Sequence, residues 1–136
     1  TRSAMTLSAA ALAFAESHRV AHLATSGSDG QPHVVPICYA VEAEALCFVV
    51  DEKPKASKRL RRLRNLEENP RAAVVIDDYD DEWRRLAYLL LRGTASVVRD
   101  PAEYERVVAL LRARYAPYRS MPLAIADNPL VRIAIE

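Results

Sequence analysis

The sequence is poor in the features that would declare a chemistry outright. It has two cysteines, Cys38 and Cys47, and neither sits in a CxxC motif or a Cys/His metal spacing. Both lie in apolar runs, which reads as buried thiols in a reducing, cytoplasmic setting and not as a disulfide framework. Its three histidines, His18, His22 and His33, show no ligand spacing. No metal site is expected from them, and each reads as structural or surface. No apolar run approaches the roughly 18 residues of a membrane span, so no membrane partner is expected. The formal net charge is only +1, too little for a general polyanion binder. There is no internal repeat, linker or low-complexity segment. The 136 residues, just over half of them apolar, suit one domain over 1–136. The opening stretch carries Leu7, Ala11, Phe14 and Ala15 at helical spacing, which fits an amphipathic helix better than a signal peptide.

What the chain does have is a set of short strand-like runs. A helix is expected over Leu7–Ser17. "RVAHLATS" and "HVVPICYAV" read as two strands joined by a turn at Asp29-Gly30. Pro36, inside the second run, requires an edge, a bulge or an unused backbone N–H. "ALCFVVD" is a third strand, "RAAVVID" a fourth, and "LAYLLLRGTASVV" a fifth, with Gly93 marking a bulge or a close approach. Helices are expected over Ser57–Glu68 and from Pro101 to Tyr115, the second with proline in its first turn. "LVRIAIE" closes the chain as a sixth strand. Six short strands with few helices point to a mainly β fold, a closed antiparallel barrel with flanking helices.

The charge is local. Lys53, Lys55, Lys58, Arg59, Arg61, Arg62 and Arg64 place seven cations within twelve residues, with no acid among them. An acidic, aromatic segment, "DDYDDEW", follows at residues 77–83. Leu60, Leu63 and Leu66 give the helix between them an apolar stripe. Its charges run against the helix dipole. Cations crowd the positive N-terminal end while Glu67 and Glu68 stand at the negative end, each choice costing about 0.3–1 kcal/mol when exposed. An anion held at that N-terminus by free backbone N–H groups, Ser57 and the cations offsets the cost. The plain alternative is a solvated helix face. A nucleic acid partner is not expected, because no aromatic residue interrupts the cations between Lys53 and Arg64.

These residues fall in a familiar pattern. The motif "DxKPK…LRRLRN…NPR…DxYDxxW" is present as Asp51, Lys53, Pro54, Lys55, Leu60–Asn65, Asn69–Arg71, Asp77, Tyr79, Asp80 and Trp83. It resembles the flavin- and deazaflavin-binding split β-barrels, the pyridoxamine 5′-phosphate oxidase-like superfamily, and within it the actinobacterial branch of coenzyme F-420-dependent enzymes. The resemblance implies a homodimer of six-stranded split barrels with a cofactor at each subunit interface. Val35, Pro36 and Ile37 would pass the ring system. Val49, Val50 and Asp51 would flank it. Lys53, Lys55, Ser57, Arg61 and Arg62 would take the phosphate, and Arg64 reads as a bystander. Tyr79 and Trp83 either wall the pocket from the partner subunit or pack under the acidic loop. Tyr104, Tyr115 and Tyr118 read as packing on the last helix. The long cationic track favours coenzyme F-420, whose tail carries several negative groups, with FMN as the alternative. Hydride transfer to or from a small organic substrate would reside in the cofactor, so no catalytic residue of the protein's own is expected, and a cofactor-binding protein without turnover is the other alternative.

Overall fold

Alternation of buried and exposed side chains sets the strands of this protein, and one strand breaks the rule informatively. The computed structural model describes residues 6–42, 44–52 and 60–136. Its elements are α1 (Ala9–Glu16), β1 (Ala21–Ser26), β2 (Pro32–Ile37), β3 (Ala40–Glu42), β4 (Ala45–Val49), α2 (Arg61–Glu68), β5 (Arg71–Asp78), β6 (Ala87–Val97), α3 (Pro101–Arg114) and β7 (Leu130–Ile135). Short 3-10 turns cover Trp83–Arg85 and Ala116–Arg119. Every residue of β4 is buried. Leu46 and Phe48 enter a core inside the sheet with Leu23, Val74, Ile76 and Ile133. Ala45, Cys47 and Val49 enter a second core under α3 with Tyr104, Val107, Val108 and Leu111. A strand sandwiched in this way loses its alternation, which is why its sequence is an unbroken apolar run.

All strand pairs are antiparallel, and the seven strands form one sheet in the order β2-β1-β5-β6-β7-β4-β3. Its two edge strands, β2 and β3, are joined only by Cys38 and Tyr39. Such a link spans on the order of 10 Å at most. The sheet must therefore curl until its edges nearly meet without pairing, which makes a barrel with a split along one side. Pro36 lies on the edge strand β2, the place in a sheet where a residue without an N–H is tolerated.

Two expectations need correction. Seven strands replace six, because the run 33–41 breaks at Cys38 and Tyr39. Tyr39 N–H donates to Tyr115 Oη (3.0 Å), and its hydroxyl reaches the carbonyls of Ala15 (2.5 Å) and His18 (3.1 Å). These bonds draw Tyr39 out of the ladder, and the chain re-enters on the far edge as β3. The helix expected from Ser57 is described from Arg61, with Leu60 in extended conformation at its N-cap. Lys53, Lys55 and Ser57 lie outside the described residues.

The helices are docked by specific polar bonds. Asn65, fully buried in α2, donates to Thr25 Oγ1 of β1 at 3.0 Å. Glu68 accepts from Ser28 N (2.8 Å) and Ser28 Oγ (3.0 Å) in the β1–β2 turn. That turn uses Gly30 at φ 76°, the left-handed region that favours glycine. Leu60, Leu63 and Leu66 pack against the barrel core, as their stripe predicts. Asp100 caps α3 through the N–H groups of Ala102 and Glu103, with Pro101 in the first turn. Gly93 marks a close approach: a Cβ there would lie 2.0 Å from the Ala134 carbonyl oxygen.

Candidate functional site

A cavity of about 400 Å³ lies where the barrel fails to close. Val35, Pro36 and Ile37 of β2 line it on one side, and Val49 and Asp51 at the end of β4 on the other. Val20 before β1, Cys38 in the link, Glu52, Arg62 of α2 and Tyr118 of the 3-10 turn complete the described wall. Its apolar part is made of branched aliphatic side chains and a proline ring. Its polar part combines carboxylates, one guanidinium and one phenol.

Six residues expected at a binding site are thus brought to one cavity. Val50 is not among its lining, because its side chain is fully buried in the barrel core. Arg61 is exposed on the first turn of α2 and is absent from the lining.

Arg62 is the informative cation. Its side chain is only 13% exposed, and a terminal nitrogen stands 3.6 Å from Glu52 Oε1. Its Nε is buried and has no hydrogen-bond partner among the described residues. A buried, unpaired guanidinium donor in a cavity wall is a costly arrangement that a ligand acceptor relieves. The residues present therefore fit a group bearing an anionic oxygen. Arg62 is held there because Asn65, one turn later, pins α2 to β1.

Glu68 revises the dipole reasoning. Its place at the negative helix end serves the two bonds from Ser28, which hold its carboxyl below the usual carboxylate range. That half of the inverted charge pattern is structural. The other half stands: among the described residues no side chain caps the helix at Leu60, and its first turn holds no acid.

Tyr118 was assigned to packing, and the structure adds a second role. It is 5% exposed, and its hydroxyl donates to Asp51 Oδ2 at 3.0 Å. Burial, and then the Asp51 carboxylate, push its pKa up, so it stays a phenol. Cys38 is half-buried and borders the cavity, where the sequence predicts a buried thiol. Burial is the largest cause holding its thiol protonated, and it has no activated nucleophile character. Cys47 is buried under α3 with its pKa pushed up to about 12.

The acidic segment forms a different surface. Tyr79 and Trp83 are 71% and 72% exposed, so neither packs beneath the loop. Tyr79 lines a second, shallower recess of about 440 Å³ with His22, Val75, Asp78 and Tyr88. Neither aromatic is among the described lining of the first cavity. Val34 of β2 and Tyr88 and Leu90 of β6 are also exposed. Through the registers Val34–Ala24–Ala73 and Val75–Leu90 they lie on one broad sheet face. His18 pairs through Nε2 with Asp78 Oδ1 at 2.6 Å. Among the described residues no group of three or more His, Cys, Asp or Glu is placed to hold a metal, and no helix is long and apolar enough to cross a membrane.

Comparison with known proteins places this geometry. A solved heme storage protein, HutZ from Vibrio cholerae, superposes with a TM-score of 0.75 over 97% of this chain and 92% of its own. At 23% identity that likeness establishes the fold alone. A solved F420 reductase is 30% identical, with a TM-score of 0.63 over 87% of this chain and 86% of that one. A 5a,11a-dehydrotetracycline/5a,11a-dehydrooxytetracycline reductase from Streptomyces rimosus is 33% identical over 79 residues, 56% of this chain. The match spans about half of that relative, 53% of its length. The family model described as pyridoxamine 5′-phosphate oxidase matches residues 7–136, nearly the whole chain. With the split barrel and its cavity, that match makes this chain a member of the pyridoxamine 5′-phosphate oxidase family.

Proposed function

We propose that this protein is an oxidoreductase that uses coenzyme F-420, bound in the barrel split between two identical subunits. One observation carries the reading: Arg62, whose buried Nε is unpartnered among the described residues, lines a cavity whose other side is the apolar surface of Val35–Ile37 and Val49. Ring below, anion beside it, is the arrangement a flavin-like cofactor needs. The two reductases similar to this chain support the class. When bound, the deazaflavin supplies the hydride. The chain's part is to bind, orient and shield it.

Coenzyme F-420 is favoured over FMN by the extent of the cations, which continue from Arg62 back to Lys53. A single terminal phosphate needs two or three of them. A phosphodiester with a carboxylate tail uses more. The broad exposed face of Val34, Tyr88 and Leu90 supports the homodimer. In that dimer the exposed Tyr79 and Trp83 reach the neighbouring cavity from the partner side. Fluorescence titration of the purified protein with coenzyme F-420 and with FMN tests the reading. Tighter binding of F-420 is expected. A stoichiometric yellow FMN complex straight from purification reverses the ranking, and failure to bind either removes the proposal.

A further inference from the structure

Tyr118 enters the cavity from a turn that is fixed before any ligand arrives. Arg112 of α3 donates from Nε to the Tyr118 carbonyl (3.0 Å) and from a terminal nitrogen to the Met121 carbonyl (2.9 Å). Tyr118 N–H donates to the Tyr115 carbonyl (3.1 Å), and the two rings meet edge-on with centroids 5.8 Å apart. Asp51 is fixed from its own side. The residue before it, Val50, donates its N–H to the Pro129 carbonyl (2.8 Å) and accepts from Asn128 Nδ2 (3.1 Å). Asn128 is buried and its other polar groups are used: Oδ1 accepts from Ala124 N–H, and its carbonyl from the Tyr104 hydroxyl. Phenol and carboxylate are thus positioned independently and meet at 3.0 Å.

The proton count at that meeting is decisive. A carboxylate has no proton to give, so the bond uses the only proton Tyr118 has. The phenol oxygen keeps two lone pairs. They belong to a group that lines the cavity, and toward a ligand the phenol oxygen can only accept.

We propose that Asp51 and Tyr118 form a specificity element, in which Tyr118 is an obligate acceptor that selects a ring N–H of the bound cofactor. This rests on the reading of the cavity as a flavin-type site. A ribityl or sugar hydroxyl would not be selected by such a group, since a hydroxyl reverses its role at no cost. A ring imide N–H is a fixed donor, flanked by carbonyls that Tyr118 could not serve. The chemical class selected is therefore a heterocycle with an imide, as in the pyrimidinedione of flavins and deazaflavins. A ring alkylated at that nitrogen is rejected. Tyr118 is a specificity residue and Asp51 a positioning residue acting through it.

The test compares affinities for coenzyme F-420 or FMN, whichever binds more tightly, and for the same molecule methylated at the imide nitrogen. For the parent the ratio should be about fivefold or more, the size of one neutral hydrogen bond. In Tyr118→Phe it should fall to within about twofold of unity. Asp51→Asn is the sharper variant. It preserves the shape of the pair, but its amide can donate to the phenol oxygen and free the phenol proton, so the ratio should fall there too. Loss of the negative charge at residue 51 alters both affinities alike and cancels in the ratio. A preference that survives in either variant overturns the proposal while leaving the cofactor reading intact. A parent that binds neither F-420 nor FMN overturns the cofactor reading, and this inference with it.

Discussion

Two regions of this molecule carry aromatic and charged residues at a cavity, and they are built in opposite ways. At the barrel split, Tyr118, Asp51 and Arg62 are sunk into the fold and held from behind by Arg112, Asn128 and Asn65. At the acidic segment, Tyr79, Trp83 and Tyr88 stand in solvent, each more than 70% exposed. Preorganised polar groups in a recess can discriminate between ligands, because they pay little reorganisation when one binds. Exposed aromatics without such support gain only when something covers them. The first region is a site within one chain. The second is the surface through which, in our reading, another chain completes it.

The harshest way to break this comparison is to attack the sheet both regions share. Gly93 pairs with Ile135 in the β6–β7 ladder, and its missing Cβ makes room for the Ala134 carbonyl. Backbone cannot yield as a flexible side chain does. Gly93→Ala is expected to cost about 3 kcal/mol or more and to lower the urea midpoint or abolish folding. A variant with the parent's midpoint would mean that β6 and β7 do not approach so closely.

Breaking only the exposed region comes next. Leu90→Glu places a charge on the open sheet face. The isolated protomer should be nearly unaffected, within about 0.5 kcal/mol, as for an ordinary surface change. The proposed dimer would have to bury that charge unpaired, at about 3–5 kcal/mol. Light scattering should then show a monomer where the parent is a dimer, and cofactor affinity should fall although the cavity is untouched. A parent that is monomeric at micromolar concentration would sink the two-chain site itself.

Arg62→Ala breaks only the enclosed region. Loss of a charge-assisted hydrogen bond, about 1.5–3 kcal/mol, should weaken cofactor binding roughly tenfold or more. The melting temperature of the apo protein should hardly move, since Arg62 has one long ion pair at 3.6 Å to a largely exposed Glu52. Arg64→Ala, on the exposed face of α2, should do much less. Calorimetry showing equal affinities for parent and both variants would reduce the basic helix to a solvated face.

The contrast also marks what the sequence can disclose. Strand periods, the Asp29-Gly30 turn, the Pro101 helix start and the leucine stripe were legible because local spacing determines them. The cavity's apolar wall was legible only through the family resemblance, which implied Val35–Ile37 and Val49 beside the ring. Tyr118 was not. It sits four residues past the end of α3, where spacing says only that it packs, and its partner Asp51 lies 67 residues away. No local pattern encodes such a meeting, which depends on where β4 ends against α3. Glu68 misled for the same reason. Its cost to the helix was visible in the sequence, and its benefit to Ser28, 40 residues earlier, was not. The break at Tyr39 likewise depends on Tyr115, 76 residues on.

The smallest effect sharpens the border between the regions. His18 closes α1 onto the end of β5, next to the exposed recess that Asp78 lines. Its Nδ1 is 2.7 Å from the Phe14 carbonyl and its Nε2 is 2.6 Å from Asp78. Neither acceptor carries a proton, so this geometry calls for the doubly protonated ring. The Phe14 carbonyl first, and then Asp78, raise its pKa above the ordinary 6.5. Below about pH 6.5 the ring is charged both folded and unfolded, and the contribution is fully present. As pH rises, the unfolded chain loses the proton first, and the advantage drains away up to the raised folded value. Asp78 is half exposed, so the whole effect should stay below about 1 kcal/mol. Urea melts of the parent and His18→Gln should differ most near pH 6 and converge near pH 9. A gap of equal size at both ends would show that His18 is held neutral, by packing on the Phe14 ring 4.3 Å away and not by its charge.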